Sequence, residues 1–175
     1  GPFNESSRIP LDTYKSVAAT PGVERASPFI VYAAQRDVGG ANQQFTIIGY
    51  DVFGGLGGPG RIVRGRAIRA PHYEMVADMK LGLELGERVR LGLHDYAVVG
   101  ITREAVDSGG NPLVYLSLPD AQEVQFQQDS QALVAARAAN LKRLERAGYT
   151  PEQSSKLLPL LASSTDTINA VLVRL

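Results

Sequence analysis

The chain has 175 residues, no cysteine and only two histidines, His72 and His94. The lack of cysteine excludes thiol nucleophiles, disulfide staples and cysteine-based metal sites, and it suits an oxidising compartment. The 18 basic and 18 acidic residues cancel. No long-range field is therefore expected to gather DNA, RNA or anionic lipid, although 61–69 and 142–146 are locally basic. No run of about 18 apolar residues is present, so nothing reads as a membrane span. No signal-peptide pattern is visible either. The chain opens on Gly1-Pro2 rather than Met and stops at Leu175 within an expected strand, as an excised piece would. What is present is a globular composition, 44% hydrophobic and 21% charged, enough for one domain or two small lobes.

Local patterning gives the order of elements. A short helix is expected over 10–19, with Pro10 in its first turn and Pro21-Gly22 as its stop. An Ile-, Val- and Tyr-rich strand follows over 23–35, and Pro28 within it suggests an edge or a bend. A turn over 37–42 and a strand over 44–50 complete a hairpin. The glycine-rich 54–60 reads as a mobile loop. Strands are expected at 75–78, 88–91, 96–101 and 113–116. Ser117, Pro119 and Asp120 look like a helix start. A polar stretch, 122–128, precedes an Ala-, Leu- and Arg-rich helix over 130–147, with Gly148 as its cap. A capping box at 150–153 opens another helix, ended by Pro159. Residues 167–175 close the chain as a strand. The expected fold class is α+β in two lobes: a small α/β lobe from 1–35 with 113–175, and a β-rich lobe from 36–112.

Several short motifs share an order with one known family. Pro21-Gly22-Val23 ends the first helix, and Ser27-Pro28 lies in the next strand. Then come Gly49-Tyr50-Asp51, Gly65-Arg66, Glu74 to Asp78, Leu81-Gly82, Leu85-Gly86-Glu87 and Val98-Val99-Gly100-Ile101. Pro112 to Tyr115, Asp120-Ala121-Gln122 and the closing Asn169 to Leu175 complete the set. Over 9–124 and 167–175 the chain resembles the extracytoplasmic domain of MacB/FtsX-type ABC transporter permeases. The stretch 125–166 carries no motif of that family and reads as a helical insertion. The resemblance implies a porter-like α/β lobe and a domain without catalytic, cofactor-binding or metal-ligating residues. It also implies an anchor in the cytoplasmic membrane through helices outside this chain. The implied partners are an ABC ATPase subunit acting through the parent permease, a second permease copy, and a membrane-fusion adaptor or periplasmic protein. No nucleic acid is implied. The domain would couple cytoplasmic ATP hydrolysis to export, extraction or signalling.

Rival chemistry has few residues to stand on. Asp107-Ser108-Gly109-Gly110-Asn111-Pro112 echoes the Gly-Asp-Ser-Gly-Gly-Pro of chymotrypsin-like proteases, where the serine needs a histidine base. Val106 replaces the leading glycine, Asn111 is inserted, and turn residues of this kind are common between strands. The 54–60 run lacks the Gly-Lys-Ser/Thr and following helix of a phosphate loop. His72 with Glu74, or His94 with Asp95, lacks metal-site spacing. Glu84 and Glu87 flank Gly86 as solvated turn carboxylates. Arg137, Lys142, Arg143 and Arg146 give the 130–147 helix a basic side, which reads as a solvated face or as a surface that docks an adaptor, a dimer mate or a lipid headgroup. The alternative functions are a stand-alone β-rich module binding a small ligand or peptide and, remotely, a hydrolase using Ser108.

Overall fold

In a computed structural model, residues 9–10, 12–146, 167–168 and 170–175 are described. Strand β1 (Ile9–Pro10), helix α1 (Thr13–Ala18), β2 (Arg25–Val38) and β3 (Ala41–Tyr50) come first. Then follow β4 (Ile62–Gly65), β5 (Glu74–Asp78), β6 (Arg88–Leu91), β7 (His94–Thr102) and β8 (Leu113–Ser117). The 29-residue α2 (Leu118–Arg146), β9 (Thr167–Ile168) and β10 (Ala170–Arg174) complete the order. The fold is α+β, with one mixed sheet in the order β10-β2-β3-β8-β5-β7-β4. β6 pairs with β7 off that path, and β1 pairs with β9 in a separate two-stranded ladder. The sequence position between residues 35 and 36 falls inside β2.

The hairpin of β2 and β3 closes over two residues. Gly39 and Gly40 have φ of 61° and 85°, as a two-residue turn with both central residues left-handed requires. The Asp37 carboxylate accepts the Gly40 N–H at 3.1 Å. The turn is thus tighter than the six residues expected. β3 pairs antiparallel with β2 and parallel with β8, so it sits well inside the sheet. Its run from Phe45 to Tyr50 is buried throughout. Phe45 and Ile47 join the larger core under α2, whereas Ile48 and Tyr50 join a smaller cluster with Ile68, Val76 and Tyr115 on the opposite face. A strand covered on both faces reads as a continuous apolar run rather than an alternation.

Several elements differ from expectation. Pro10 lies in β1, paired with Thr167, and not in a helix. α1 is only six residues long. Pro28 faces Val171 of β10 and lies one residue beyond the first β3 pair, Phe29 with Tyr50, so its missing N–H falls outside the β3 ladder. The polar stretch 122–128 does not interrupt anything. It is part of α2, because glutamine propagates a helix well and no glycine or proline lies between Asp120 and Arg146. The glycine loop is packed rather than loose: Arg25 donates to the Gly54 carbonyl at 2.8 Å, and the Leu56 N–H donates to Ser27 at 3.1 Å. A side chain at Gly57 would collide with Phe29 and Leu172. The expected cap at Gly148 and the helix over 150–159 lie outside the described residues.

Candidate functional site

The base of α2 is where the chain concentrates its polar contacts. Ser117 stands at the helix start, and its hydroxyl accepts the Asp120 N–H at 3.3 Å, a side-chain cap on an otherwise orphaned donor. The same hydroxyl donates to the Pro71 carbonyl at 2.6 Å. Asp120 is fully buried, and one carboxylate oxygen accepts the Tyr73 N–H at 2.8 Å. The other meets His72 Nδ1 at 2.8 Å. One turn on, Glu123 meets His94 Nε2 at 3.0 Å. A further turn on, Gln127 accepts the Leu93 N–H at 2.9 Å and donates to Glu123 at 3.2 Å. Spacings of three, four and seven place these side chains on one helix face. They fasten α2 to the segment before β5 and to the turn between β6 and β7.

Apolar contacts sit under the same turns. Ala121 and Val124 are buried in the larger core. Ala121 lies against Gly49 of β3, where an added Cβ would collide with Ala121 and Ile30. Glycine there lets the helix approach the sheet closely. The buried Tyr32 hydroxyl donates to the Ala121 carbonyl at 2.7 Å. Burial, with lesser contributions from Tyr96 and Asp129, holds this phenol well above its ordinary pKa.

Tyr73 is the unusual residue of the joint. Its φ of 62° is rare for a bulky side chain. The bond to Asp120 and ring contacts to His94 at 4.8 Å, His72 at 5.7 Å and Tyr96 at 5.8 Å hold it there. Tyr96 is fully buried, and its hydroxyl has no hydrogen-bond partner among the described residues. Burial first, then the carboxylates of Asp120 and Glu123, raise its pKa.

Beyond Gln127 the character of α2 changes. From Phe126 to Arg146 no described side chain is buried, and Val134 is 65% exposed. Lys142 and Arg146 are exposed, whereas the side chains of Arg137 and Arg143 lie outside those described. A clamped base thus carries a long distal stretch whose described side chains are exposed or half-buried.

The other candidate residues go separate ways. Ser108 lies in a turn closed by Asp107, whose carboxylate accepts from Thr46 at 2.6 Å and from the N–H groups of Gly109 and Asn111. The Thr46 bond, then Asn111, lowers its pKa to about 2. Glu74 pairs with Arg66 at 2.6 Å, while its sequence neighbour His72 turns to Asp120. The Arg66 bond leads the causes that hold Glu74 at about 2. Asp95 pairs with Arg90 at 2.8 Å, away from the partner of His94. Glu84 and Glu87 bond each other's main chain across their turn. Among the described residues no group of three or more acidic or histidine side chains could hold a metal ion. Glu123 and Gln127 were not foreseen as functional. Their spacing from Asp120 was the available signal, but a helix face cannot reveal its partners without the sheet.

The chain is similar to known proteins. The family model of the MacB-like periplasmic core domain matches residues 2–147. An uncharacterized ABC transporter permease of Mycobacterium tuberculosis, found in strains H37Rv and CDC 1551, is 30% identical over 128 residues. That match covers 72% of this chain and 35% of the permease, so the chain spans about a third of these relatives. The extracellular domain of the noncanonic ABC-type transporter YknZ from Gram-positive bacteria aligns with a TM-score of 0.49 at 13% identity. It covers 66% of this chain and 65% of that one. The periplasmic region of MacB from Actinobacillus actinomycetemcomitans gives 0.46 at 10% identity, over 64% and 56% of the two chains.

Proposed function

The chain belongs to the family of MacB-like periplasmic core domains of ABC transporter permeases, and from that premise we propose that it is a non-catalytic transmission domain. Its place is extracytoplasmic. No described helix is long and apolar enough to cross a membrane. In this reading the parent permease supplies the membrane anchor, and a partner ATPase supplies hydrolysis in the cytoplasm. A second permease copy, or an adaptor at the outer face, would receive the motion.

The observation that supports this most is the build of α2. Asp120, Glu123 and Gln127 fix its base to two loops of the sheet, while no described side chain from Phe126 to Arg146 is buried. A rigid element fixed at one end and exposed at the other moves as a body when its base is turned. We propose further that the part built from 1–35 with 113–175 and the part built from 36–112 divide the work although their strands interleave in one sheet, with β3 between β2 and β8. The first would carry α2 and the closing strands, and the second would hold the loops that grip it.

Labelling in cells tests the placement. Val134→Cys in a cysteine-free parent would be modified by a membrane-impermeant maleimide in intact cells, because the site is exposed on the outer side. Modification only after the cells are broken open would overturn it.

A further inference from the structure

A groove of about 740 Å³ runs between the middle of α2 and the β2–β3 hairpin. Among the described residues its lining holds no Asp, Glu, Lys, Arg or His. It does contain five of the nine glutamines, Gln35, Gln44, Gln127, Gln128 and Gln131, together with Asn111. Gln127 and Asn111 are engaged with Glu123 and Asp107. Gln35 and Gln44 alternate with Ala34 and Phe45, whose side chains face α2, so they meet the groove through their main chain, whereas the side chains of Gln128 and Gln131 on α2 make no hydrogen bond to another described residue. Each carboxamide offers two N–H donors and a carbonyl acceptor without charge. The rest of the wall is mostly small, with Ala33 on the sheet and Ala132 and Ala135 on the helix, so a main chain can come close.

A second observation points to the same kind of ligand. β8 pairs with β3 only from Thr46 onward, with the Thr46 N–H donating to the Pro112 carbonyl at 3.0 Å. Gln44 lies two residues earlier, so its main-chain N–H and C=O face the same side. Over 41–45 that edge has no strand partner among the described residues. An unpaired edge is a template for an added strand. Gln44 and Asn111 place this edge at the groove.

We propose that the groove binds an extended, uncharged polypeptide segment of another protein, added as a strand to the free edge of β3 and read by the carboxamides of Gln128 and Gln131. The backbone of such a segment presents alternating donors and acceptors, which a carboxamide can match in either direction. A charged segment would lose hydration without finding a counter-ion there. A sugar would lack a stacking surface among the described residues, since the one aromatic residue they give the lining, Phe45, is buried. From Gln127 to Ala135 the helix rises about 12 Å, the length of roughly four extended residues. Binding here does not depend on the transmission role.

The test uses the 175-residue protein and a display library of uncharged heptapeptides. An enriched peptide is synthesised and titrated while amide resonances are followed by NMR, with maltoheptaose as the sugar probe. The expected result is saturable shifts at the main-chain amides of Asn42 and Gln44 and the side-chain amides of Gln128 and Gln131. Gln128→Glu with Gln131→Glu should weaken binding about tenfold with an unchanged melting curve. Methylation of alternate peptide nitrogens should abolish it. Failure to enrich any peptide, shifts centred elsewhere, equal binding of the methylated peptide, or saturation by the sugar alone would each overturn the proposal.

Discussion

Asp120 accepts the main-chain N–H of Tyr73 at 2.8 Å, and Tyr73 holds a φ of 62°. One buried carboxylate thus stabilises both the start of α2 and a strained residue on the loop beside it. Removing it leaves the Tyr73 donor and His72 without their partner. Asp120→Ala should cost about 2–4 kcal/mol of stability, read from the urea midpoint at constant m-value. A cost below about 0.5 kcal/mol would mean that the clamp is incidental.

Gly49 and Ala121 make a second link at the same base. Gly49→Ala forces the helix away from β3 and should cost about 1–3 kcal/mol. Ala121→Gly should recover part of that loss in the double variant, because it returns space at the same contact. Additive losses in a double-mutant cycle would contradict direct packing between them.

The Tyr96 hydroxyl is buried without a partner among the described residues. Tyr96→Phe removes an unsatisfied polar group and keeps the ring contact with Tyr73. Stability should hold or rise by about 1 kcal/mol. A clear fall in melting temperature would place a bound water or another donor at that oxygen.

Glu74 and Asp107 both have carboxyl groups held at about 2, below their ordinary values. A depressed folded-state pKa adds stability that is present above the unfolded value, near 4, and is lost as pH falls toward 2. Stability should therefore decline between about pH 4.5 and 2. Glu74→Gln should flatten that decline while lowering stability at pH 7. An unchanged acid limb in the variant would remove Glu74 from the account.

Ser108 lies in an Asp107-closed turn, and both histidines meet carboxylates of α2. A fluorophosphonate probe should leave Ser108 unmodified, and Ser108→Ala should melt with the parent protein. Stoichiometric labelling at Ser108 would reopen the hydrolase reading.

Much of the fold was legible because its signals are local. The Ile-, Val- and Tyr-rich runs around Pro28, Gly49 and Val98 mark strands whatever their neighbours. The parallel pairing of β3 with β8 and the single long α2 were not legible. The first joins residues about 67 apart in sequence, Thr46 with Leu113, and no local pattern encodes such a pair. The second was hidden because the glutamines of 122–128 carry no apolar stripe, although their helix propensity is high. At the candidate site, Ser117 and Asp120 announced a helix start. The use of the Asp120 side chain could not be read there, because its partners, His72 and Tyr73, are supplied by a loop some 47 residues earlier.

The central claim is that α2 moves as a body about its clamped base. In the proposed assembly of two permease copies with an ATPase, spin labels at Val134→Cys in lipid nanodiscs measure this directly by electron–electron resonance. The account predicts a distance distribution that shifts between the nucleotide-free and ATP-trapped states, and a broad, nucleotide-independent distribution in the Asp120→Ala variant. A distribution that stays fixed while the wild-type complex hydrolyses ATP would contradict it.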